Sequence, residues 1–419
     1  MIEQVRTTWE EYPRQFWTLI FGALINSTGG GLIWPFFSLY LTRRLNFSMT
    51  EVGIIFAAFA VVSVVSQVAG GALVDRLGRK PIMLFSLFGE AVGIMAMGLI
   101  SSLDSVTGLV LLAFIAVIVL LLGLAGSAFG PAVNAMVADL VDGQKRAQAY
   151  GLLRVMHNLG IAIGPAIGGF IATRSYLVLF TVAALSSAVY GLIITLFTRE
   201  TKPKVAMTSD ASVTVAPKDE GFGRVLHDQV FMLFCGLSLL SQIVYSQMNT
   251  TLPVYLNKGF GLSEQWYGLL MSLNAAMVVL FQFPITRFTD RYARGAMMAL
   301  GVAFYAVGFG MFGFISALLL FFLAQAVWTV GEMIAVPVSQ AFVADIAPET
   351  MRGRYMGAFG LNWAIAYGLG PLLGGATMDK LDGHYIWYGA FAINALVMLG
   401  FLALGSPMKR RIAKVMVKT

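Results

Sequence analysis

The chain has 419 residues, of which 58% are hydrophobic and only 12% are charged, and its formal net charge is +7. Soluble domains carry about twice that proportion of charge, so the composition excludes an ordinary soluble globular protein and indicates a membrane protein. The single cysteine, Cys235, excludes an internal disulfide framework and a cysteine-based metal cluster.

Twelve apolar stretches follow one another, each close to the roughly 20 residues that a membrane-spanning helix needs. We number these predicted spans 1 to 12 in chain order. No alternation of the kind found in outer-membrane barrel strands appears, so the predicted fold class is an all-α polytopic membrane protein. The spans are 16–41, 50–73, 82–101, 106–138, 148–173, 176–197, 230–256, 265–286, 296–315, 317–344, 354–376 and 386–407.

The basic residues predict the orientation of these spans. With the N-terminus inside, 23 of the 28 Lys and Arg residues fall in inner segments and 5 in outer loops. This excess predicts a multi-pass protein of the cytoplasmic membrane with both termini in the cytoplasm. The basic C-terminal tail is expected to contact lipid headgroups, so the positive charge does not require a nucleic-acid partner. The charged, mixed N-terminus shows no cleavable signal.

Span 1 combines polar and aromatic side chains. Asn26 is followed by Trp34 and Phe37, with Pro35 between the two aromatic residues. Amides beside aromatic faces are typical of a helix that lines a substrate cavity, and these three residues are predicted to do so. The alternative is that the aromatic rings face lipid.

The loop between spans 2 and 3 reads GALVDRLGRKP over 71–81. Its glycines allow a tight turn, and its four charges exclude it from the lipid interior. This string closely resembles the GxLxDRxGRKP motif of the major facilitator superfamily. The matching residues are Gly71, Asp75, Arg76, Gly78, Arg79 and Lys80.

A partial copy of this motif between spans 8 and 9 keeps Asp290, Arg291 and Arg294 but lacks the glycines and the lysine. The resemblance implies that these loops form a conformational latch between two lobes on the cytoplasmic side. It also implies that Asp75 faces the N-terminal end of span 11, where free amides and the helix dipole favour a carboxylate. The alternative is that these charges only determine the topology of the neighbouring spans.

Glu90 lies about nine residues into span 3 and is therefore within the membrane. In the superfamily that the loop resembles, spans 3, 6, 9 and 12 support the lobes rather than line the cavity. Glu90 is accordingly either a structural acid or part of a proton or lipid-facing path.

Span 5 carries a regular series of glycines. Small residues let helix backbones approach closely, and proline bends a helix, so an ordinary tight helix crossing would explain the series. The spacing also resembles the antiporter motif of the superfamily, which implies an exporter of the drug–proton antiporter type. The residues concerned are Gly151, Gly160, Gly164, Pro165, Gly168 and Gly169.

Polar side chains accompany this motif. Arg154, His157 and Asn158 fall on one face of span 5, and Asp139 ends span 4. Asp139 is expected to pair with Arg79 or Arg146, or to help relay a proton. His157 is either a packing histidine or a titrating group, and Arg154 cannot lose its charge. All three charged or titratable residues are candidates for proton coupling.

The chain divides at the polar segment 198–228, which is rich in Ser, Thr and Pro and is predicted to be a cytoplasmic linker. It separates an N-terminal six-helix lobe, 1–197, from a C-terminal lobe with a basic tail, 229–419. Residues 138–170 and 344–376 align without a gap at an offset of 206 residues, with Asp139 on Asp345. The repeat predicts two lobes related by pseudo-two-fold symmetry with a substrate site between them.

In the second lobe, span 7 carries Tyr245, Gln247 and Asn249 ahead of Pro253, which corresponds to Pro35 in span 1. Aromatic residues on spans 10 and 11 are expected to join them in the cavity and stack on a flat or cationic substrate. They are Trp328, Trp363 and Tyr367.

Glu332 lies within span 10, about 20 Å from Asp345 at the rise of an α-helix. An ionised carboxylate at that depth is costly, so Glu332 is expected to hold a proton part of the time, as a proton carrier must. The stretch from Gly331 to Pro337 also resembles helix 10 of bacterial multidrug–proton antiporters, in which the acid lines the cavity. The alternative is a structural acid held by a neighbouring hydroxyl.

No P-loop, metal-ligand cluster or nucleophile elbow is present, so no enzyme activity, cofactor or bound metal is predicted. The predicted function is proton-coupled export of amphipathic, cationic or aromatic small molecules by alternating access. The expected partners are the substrate, protons and membrane lipids, with a monomeric chain and no nucleic acid. The alternatives are a proton-coupled importer of a nutrient, and a lipid flippase or membrane sensor of the same fold.

Overall fold

The structure is a computed structural model that describes residues 11–100, 108–143, 145–202, 223–348 and 351–416. These residues form α-helices joined by short connections, with one 3-10 turn, Trp34–Phe36. The helices of the first half are α1 (Arg14–Ile33), α2 (Phe37–Arg44), α3 (Met49–Leu77), α4 (Arg79–Ile100), α5 (Gly108–Leu140), α6 (Arg146–Ala172) and α7 (Tyr176–Phe197). Those of the second half are α8 (Gly223–Leu226), α9 (Gln229–Thr250), α10 (Leu252–Phe260), α11 (Glu264–Thr289), α12 (Arg294–Met311), α13 (Leu318–Ile346), α14 (Arg352–Lys380) and α15 (His384–Met416).

Eleven segments of the described chain are helical, long enough and apolar enough to cross a membrane, with α1, the turn and α2 counted together. The remaining predicted span, span 11, corresponds to α14, whose 29 residues extend about 43 Å at the rise of an α-helix. It is less apolar than the others because it is rich in glycine and has charged residues at both ends. The predicted all-α polytopic fold with twelve spans is confirmed.

Apolar side chains on the outer surface of α11 show why the fold needs lipid. Val279, Leu280 and Phe283 expose 70%, 66% and 76% of their surface. Contiguous apolar surface of this kind is unfavourable in water and favourable against acyl chains. The chain is therefore a multi-pass membrane protein.

Two of the spans are interrupted at the equivalent prolines. Pro35 lies in the 3-10 turn between α1 and α2, and Pro253 is the second residue of α10, directly after α9. Proline has no N–H to donate to the preceding turn, so the helix breaks or tilts at this point. The interruption redirects the chain just beyond the polar positions of spans 1 and 7.

The chain folds into two compact units. The first unit comprises Met1–Lys204 and Leu252–Ser272, and the second comprises Val205–Thr251 and Leu273–Thr419. The segment Leu252–Ser272 follows the predicted linker in sequence but packs with the first unit, where α10 contacts α2. Of the predicted linker 198–228, residues 203–222 lie outside the described residues, and the predicted domain boundaries remain a prediction.

Candidate functional site

The glycine series of α6 lies against α1 at backbone distance. A Cβ atom on Gly164 would lie 2.5 Å from the backbone of Gly31, and one on Gly160 would lie 2.7 Å from the backbone of Thr28. On Gly168 it would lie 2.7 Å from the carbonyl oxygen of Leu32. No side chain fits at any of these positions, so the three glycines bring α1 and α6 together along one face.

The other members of the series differ from these three. Gly169 faces the start of α11, because a Cβ atom there would lie 2.8 Å from the carbonyl oxygen of Glu264. The carbonyl oxygen of Pro165 lies in the same contact, 2.5 Å from a Cβ atom built on Gly268. Gly151 has no such neighbour within 4 Å. The predicted motif therefore includes two packing surfaces and one open position.

The second unit repeats this contact between α9 and α14. Cβ atoms built on Gly370 and Gly374 would overlap the side chains of Ser246 and Gln247. Gln247 is 4% exposed, and its amide group donates to the carbonyl oxygen of Gly370 at 2.8 Å. Its own side-chain oxygen accepts from the Thr251 hydroxyl at 2.7 Å. Gln247, which is predicted to line the cavity, is thus engaged in joining two helices.

Glu332 on α13 is the centre of a polar cluster in the second unit. Its carboxylate accepts hydrogen bonds from the Tyr245 hydroxyl at 2.8 Å and from the Asn274 side-chain amide at 2.7 Å. Asn274 also donates to the Thr329 hydroxyl at 3.1 Å. Three helices, α9, α11 and α13, therefore meet at one carboxylate.

Aromatic rings surround this carboxylate, and two of them, Tyr245 and Trp363, are among the residues predicted to line the substrate cavity. The ring of Tyr245 lies 5.5 Å from Trp363, 5.8 Å from Trp328 and 6.0 Å from Tyr305, measured between centroids. Tyr367 stacks on Trp363 at 5.9 Å. These rings give Glu332 surroundings of low polarity.

Two of the predicted cavity residues have local partners. The Asn249 amide donates to the Tyr367 hydroxyl at 3.3 Å. Trp328 is fully buried, stacks on Phe309 at 5.2 Å and donates to the Gln325 side chain. Trp328 therefore belongs to the core of the unit.

A small cavity of about 40 Å³ adjoins this cluster, with Tyr245, Tyr305 and Trp363 in its wall. A single water needs roughly 10–15 Å³ by this measure, so the cavity has room for a few waters. The sequence analysis did not predict Asn274 and Tyr305 as site residues. For Asn274 the available signal was an amide side chain within an apolar span.

The first unit holds a second polar cluster within its spans. Glu90 on α4 lies within hydrogen-bonding reach of the side chains of Asn26 on α1 and Ser187 on α7. The Ser187 hydroxyl donates to the Asn26 side-chain oxygen at 2.9 Å. Next to Asn26, the hydroxyl of Ser27 lies 2.6 Å from Nδ1 of His157. Arg154 and His157 are exposed on α6, so the predicted polar stripe reaches α1 through His157.

Glu90 also faces a cavity of about 290 Å³, with Trp34, Phe37 and Phe59 in the wall. The rings of Trp34 and Phe59 are 5.0 Å apart, and those of Trp34 and Phe37 are 5.7 Å apart. The structure thus brings the predicted residues Asn26, Trp34 and Phe37 together around Glu90.

Ion pairs repeat at equivalent positions in the two units. Arg79 Nε lies 2.8 Å from Asp139, and Arg294 Nε lies 3.3 Å from Asp345. Arg294 also pairs with Asp290 at 2.9 Å. Of the two partners considered for Asp139, the structure selects Arg79. Asp75 has no ion pair as short as these, since its carboxylate lies 4.0 Å from Arg79 and its side chain is 78% exposed.

The loop motif is held in place by Glu200, which follows α7. Gly78 has a φ of 103°, in the region that favours glycine, and a Cβ atom there would lie 2.6 Å from the Glu200 carboxylate. The carboxylate accepts from the backbone N–H of Arg79 at 3.0 Å and of Lys80 at 2.9 Å. It accepts two more N–H groups, from Thr201 and Lys202. Glu200 thus caps the start of α4.

Other contacts tie this loop to α7 and the residues that follow. Lys80 Nζ donates to the carbonyl oxygens of Thr195 at 2.9 Å and Thr198 at 2.7 Å. Lys202 Nζ donates to the carbonyl oxygen of Arg76 at 2.7 Å. Gly71 has no neighbour within 4 Å of a built Cβ atom, and Arg291 is exposed.

A buried acid anchors the segment Leu252–Ser272 in the first unit. The Glu264 side chain is 4% exposed and pairs with Arg43 Nη1 at 2.7 Å. The Tyr176 hydroxyl donates to the same carboxylate oxygen at 2.8 Å. Sequence reasoning missed Glu264, because an acid at the start of a predicted span carries no signal of burial.

The family model described as Major Facilitator Superfamily matches residues 19–273 and 238–414. The chain belongs to this superfamily. The match to the family covers nearly the whole chain and includes the loop and span-5 motifs.

Individual proteins resemble the chain along its length. A Na⁺, Li⁺, K⁺/H⁺ antiporter of Planococcus maritimus is 25% identical over 410 residues, which cover 92% of this chain and 94% of the relative. The multidrug resistance protein MdtH of Escherichia coli (strain SE11) is 25% identical over 89% of each chain. Among solved structures, a POT family transporter in complex with 5-aminolevulinic acid has a TM-score of 0.76 at 15% identity, covering 94% of this chain and 97% of that one. The chain is accordingly a membrane transporter of this superfamily rather than an enzyme.

The contact between α1 and α6 leads to a first test, the substitution Gly164→Ala. We expect it to destabilise the protein by about 1–3 kcal/mol, because the added methyl group would meet the backbone of Gly31 and force the helices apart. Thermal unfolding of the purified protein in detergent measures the effect. Gly151→Ala is the matched control on the same helix, because its position is open. Equal unfolding midpoints for the two variants would show that the close contact is incidental.

The cap on α4 leads to a second test. Burial would raise the pKa of Glu200, but hydrogen bonds from four backbone N–H groups outweigh this effect and lower the pKa below its ordinary value of 4.5. A lowered folded-state pKa means that the carboxylate stabilises the protein above about pH 4.5, and that this contribution is lost as the pH falls further. We expect Glu200→Gln to lower the unfolding midpoint at pH 7, by an amount typical of a lost cap, about 0.5–2 kcal/mol.

The pH dependence of that difference is the second part of the measurement. The midpoints of the wild type and Glu200→Gln should converge as the pH falls below 4.5, since the wild-type carboxyl is then protonated as well. Glu51→Gln serves as the control, because glutamine preserves the capping box that Ser48 and Glu51 form. A difference that does not change with pH would contradict the charge-based cap.

Proposed function

We propose that the chain is a proton-coupled secondary transporter that exports amphipathic, cationic or aromatic small molecules by alternating access. In this proposal it lies in the cytoplasmic membrane with both termini in the cytoplasm and exchanges substrate for protons. Two relatives support the choice, one named a Na⁺, Li⁺, K⁺/H⁺ antiporter and the other a multidrug resistance protein. The glycine series of α6 supports it further, because it resembles the antiporter motif.

The observation that carries the proposal is the environment of Glu332. Its carboxylate faces two neutral donors, Tyr245 and Asn274, and no basic partner among the described residues. The donors stabilise the ionised form, whereas the aromatic surroundings favour the protonated form. A group balanced in this way can take up and release a proton, whereas a carboxylate paired with arginine stays ionised.

Coupling follows from competition for this carboxylate. When Glu332 is ionised it attracts a cationic substrate, and when it is protonated that attraction is lost. Protonation thus releases the substrate, and loss of the proton restores the binding form. One proton moving down the membrane potential provides about 2.3 kcal/mol per 100 mV, to which the pH gradient adds.

The test of this proposal is Glu332→Gln, which imitates the protonated side chain. We expect the variant, reconstituted in liposomes, to lose proton-driven uphill transport of ethidium while it retains downhill exchange. Release of protons on addition of ethidium should also be lost. Glu51→Gln is the control, since that acid caps α3 at its exposed end.

Glu90→Gln separates coupling from other effects of an acid within the spans. We expect this variant to keep a normal number of protons moved per ethidium, whatever its affinity. If Glu332→Gln retains uphill transport with normal pH dependence while Glu90→Gln loses both, coupling runs through α4 and the assignment of Glu332 is wrong.

We also propose that the loop from Gly71 to Pro81 is a conformational latch. Glu200 holds the backbone of this loop, and Asp139 pairs with its Arg79 side chain. The Asp75 carboxylate is exposed and is therefore available for a contact that changes during transport. Asp290, Arg291 and Arg294 are its counterparts in the second unit.

The latch is tested by Asp75→Asn. Removal of the charge should shift the population of states away from closure on the cytoplasmic side, because the charge-dependent contact is made only in the closed state. Distances between spin labels on the two lobes, measured at both membrane faces, report this population. Asp142→Asn, an exposed acid in the loop between α5 and α6, is the control. Unchanged distance distributions in Asp75→Asn would reject the latch.

A further inference from the structure

The cavity of the first unit has the features of a binding site. Its volume is about 290 Å³, against about 40 Å³ for the cavity beside Tyr245 in the second unit. This volume is close to the roughly 300 Å³ at which small-molecule sites begin, which suits a compact organic ligand.

Among the described residues that line this cavity, Glu90 is the one with a charged side chain. Its hydrogen-bond partners Asn26 and Ser187 are neutral, and among the described residues no Lys, Arg or His offsets its charge. An ionised carboxylate within a membrane span is unfavourable without a cation, and a bound cation would reduce that cost. The position therefore favours a ligand with a single positive charge.

The rest of the wall determines what kind of cation fits. Trp34 and Phe59 lie with their ring centroids 5.0 Å apart, and Phe37 and Phe180 add further aromatic surface. Ile94, Met97 and Leu122 complete an apolar lining. Aromatic faces attract organic cations, whereas a small hydrated metal ion would lose its water shell and gain one carboxylate. The lining thus suits a lipophilic organic monocation.

The internal repeat shows that this arrangement is specific to the first unit. At the offset of 215 residues that aligns Asp75 with Asp290, Glu90 corresponds to Tyr305. At the offset of 206 residues, Glu332 corresponds to Gly126, which lines the cavity of the first unit. The carboxylate thus changes helix between the repeats, and the one on α4 faces the cavity of about 290 Å³.

We propose that this cavity binds a lipophilic organic monocation, whose charge Glu90 neutralises and whose apolar part rests against Trp34 and Phe59. The proposal names the substrate class of the transporter proposed above and rests on that function for its role in export. It adds Glu90 as a second carboxylate for the cation, apart from Glu332, at which substrate and proton compete. Binding itself requires no transport and is measured separately.

The test is equilibrium binding of ethidium, a flat aromatic monocation, to the purified full-length protein in detergent. Glu90→Gln should weaken ethidium binding about tenfold or more, because the neutral amide no longer offsets the ligand charge. Dihydroethidium, the uncharged reduced form of the same ring system, should bind the wild type and Glu90→Gln with equal affinity. This comparison separates a charge effect from a change in cavity shape.

Phe59→Leu keeps an apolar side chain in the wall but removes an aromatic face. We expect it to weaken ethidium binding roughly 3- to 30-fold, the range of a cation–π contact. Glu51→Gln, the same change at an exposed acid, should leave ethidium affinity unchanged. Unfolding midpoints confirm that each variant is folded.

Equal ethidium affinity in the wild type and Glu90→Gln would overturn the site, as would a loss of dihydroethidium binding equal to that of ethidium. If Glu332→Gln keeps coupled transport while Glu90→Gln loses only ethidium affinity, the proposed proton site fails and the binding site stands. If Glu332→Gln loses coupling but Glu90→Gln leaves ethidium affinity unchanged, the binding site fails and the proposed proton site stands.

Discussion

The close approach of glycine-bearing helix faces is the constraint on which both units depend. Between α1 and α6 the backbones meet at Gly31 and Gly164, and between α9 and α14 the side chains of Ser246 and Gln247 fill the space that Gly370 and Gly374 leave. These contacts fix the first long helix of each unit, α1 in one and α9 in the other. That helix then carries Asn26 to Glu90 in one unit and Tyr245 to Glu332 in the other. Small residues at a helix crossing thus determine where the polar clusters form.

The acids whose partners are described above, together with Asp228, fall into two groups. Those near helix ends have cationic or backbone partners: Asp139 pairs with Arg79, Glu264 with Arg43, and Asp228 with Arg411. Glu90 and Glu332, within the spans, have neutral amide and hydroxyl partners. A carboxylate in a full ion pair stays ionised and contributes to stability. A carboxylate with neutral partners can instead take up a proton or bind a cation.

The two units share a scaffold but differ in their polar residues. The pairs Arg79–Asp139 and Arg294–Asp345 recur at equivalent places, as do the glycine contacts and the proline interruptions. The acids within the spans do not recur, since the counterpart of Glu90 is Tyr305 and that of Glu332 is Gly126. An internal duplication can therefore keep its framework while each copy places its charge at a different position.

The membrane class, the helical spans and the positions of both acids within them can be predicted from the amino-acid sequence, because lipid requires long apolar helices and a charge within such a helix is easily recognised. The sequence also identified the glycine faces, since helical spacing puts Gly160, Gly164 and Gly168 on one side. The partners that these residues contact are visible only in the folded chain. Asn274 reaches Glu332 across 58 positions and Ser187 reaches Asn26 across 161. Contacts over such separations depend on how helices pack, and helical periodicity specifies a face without naming its neighbour. For the same reason the burial of Glu264 and the cap that Glu200 places on α4 became visible only in the folded chain.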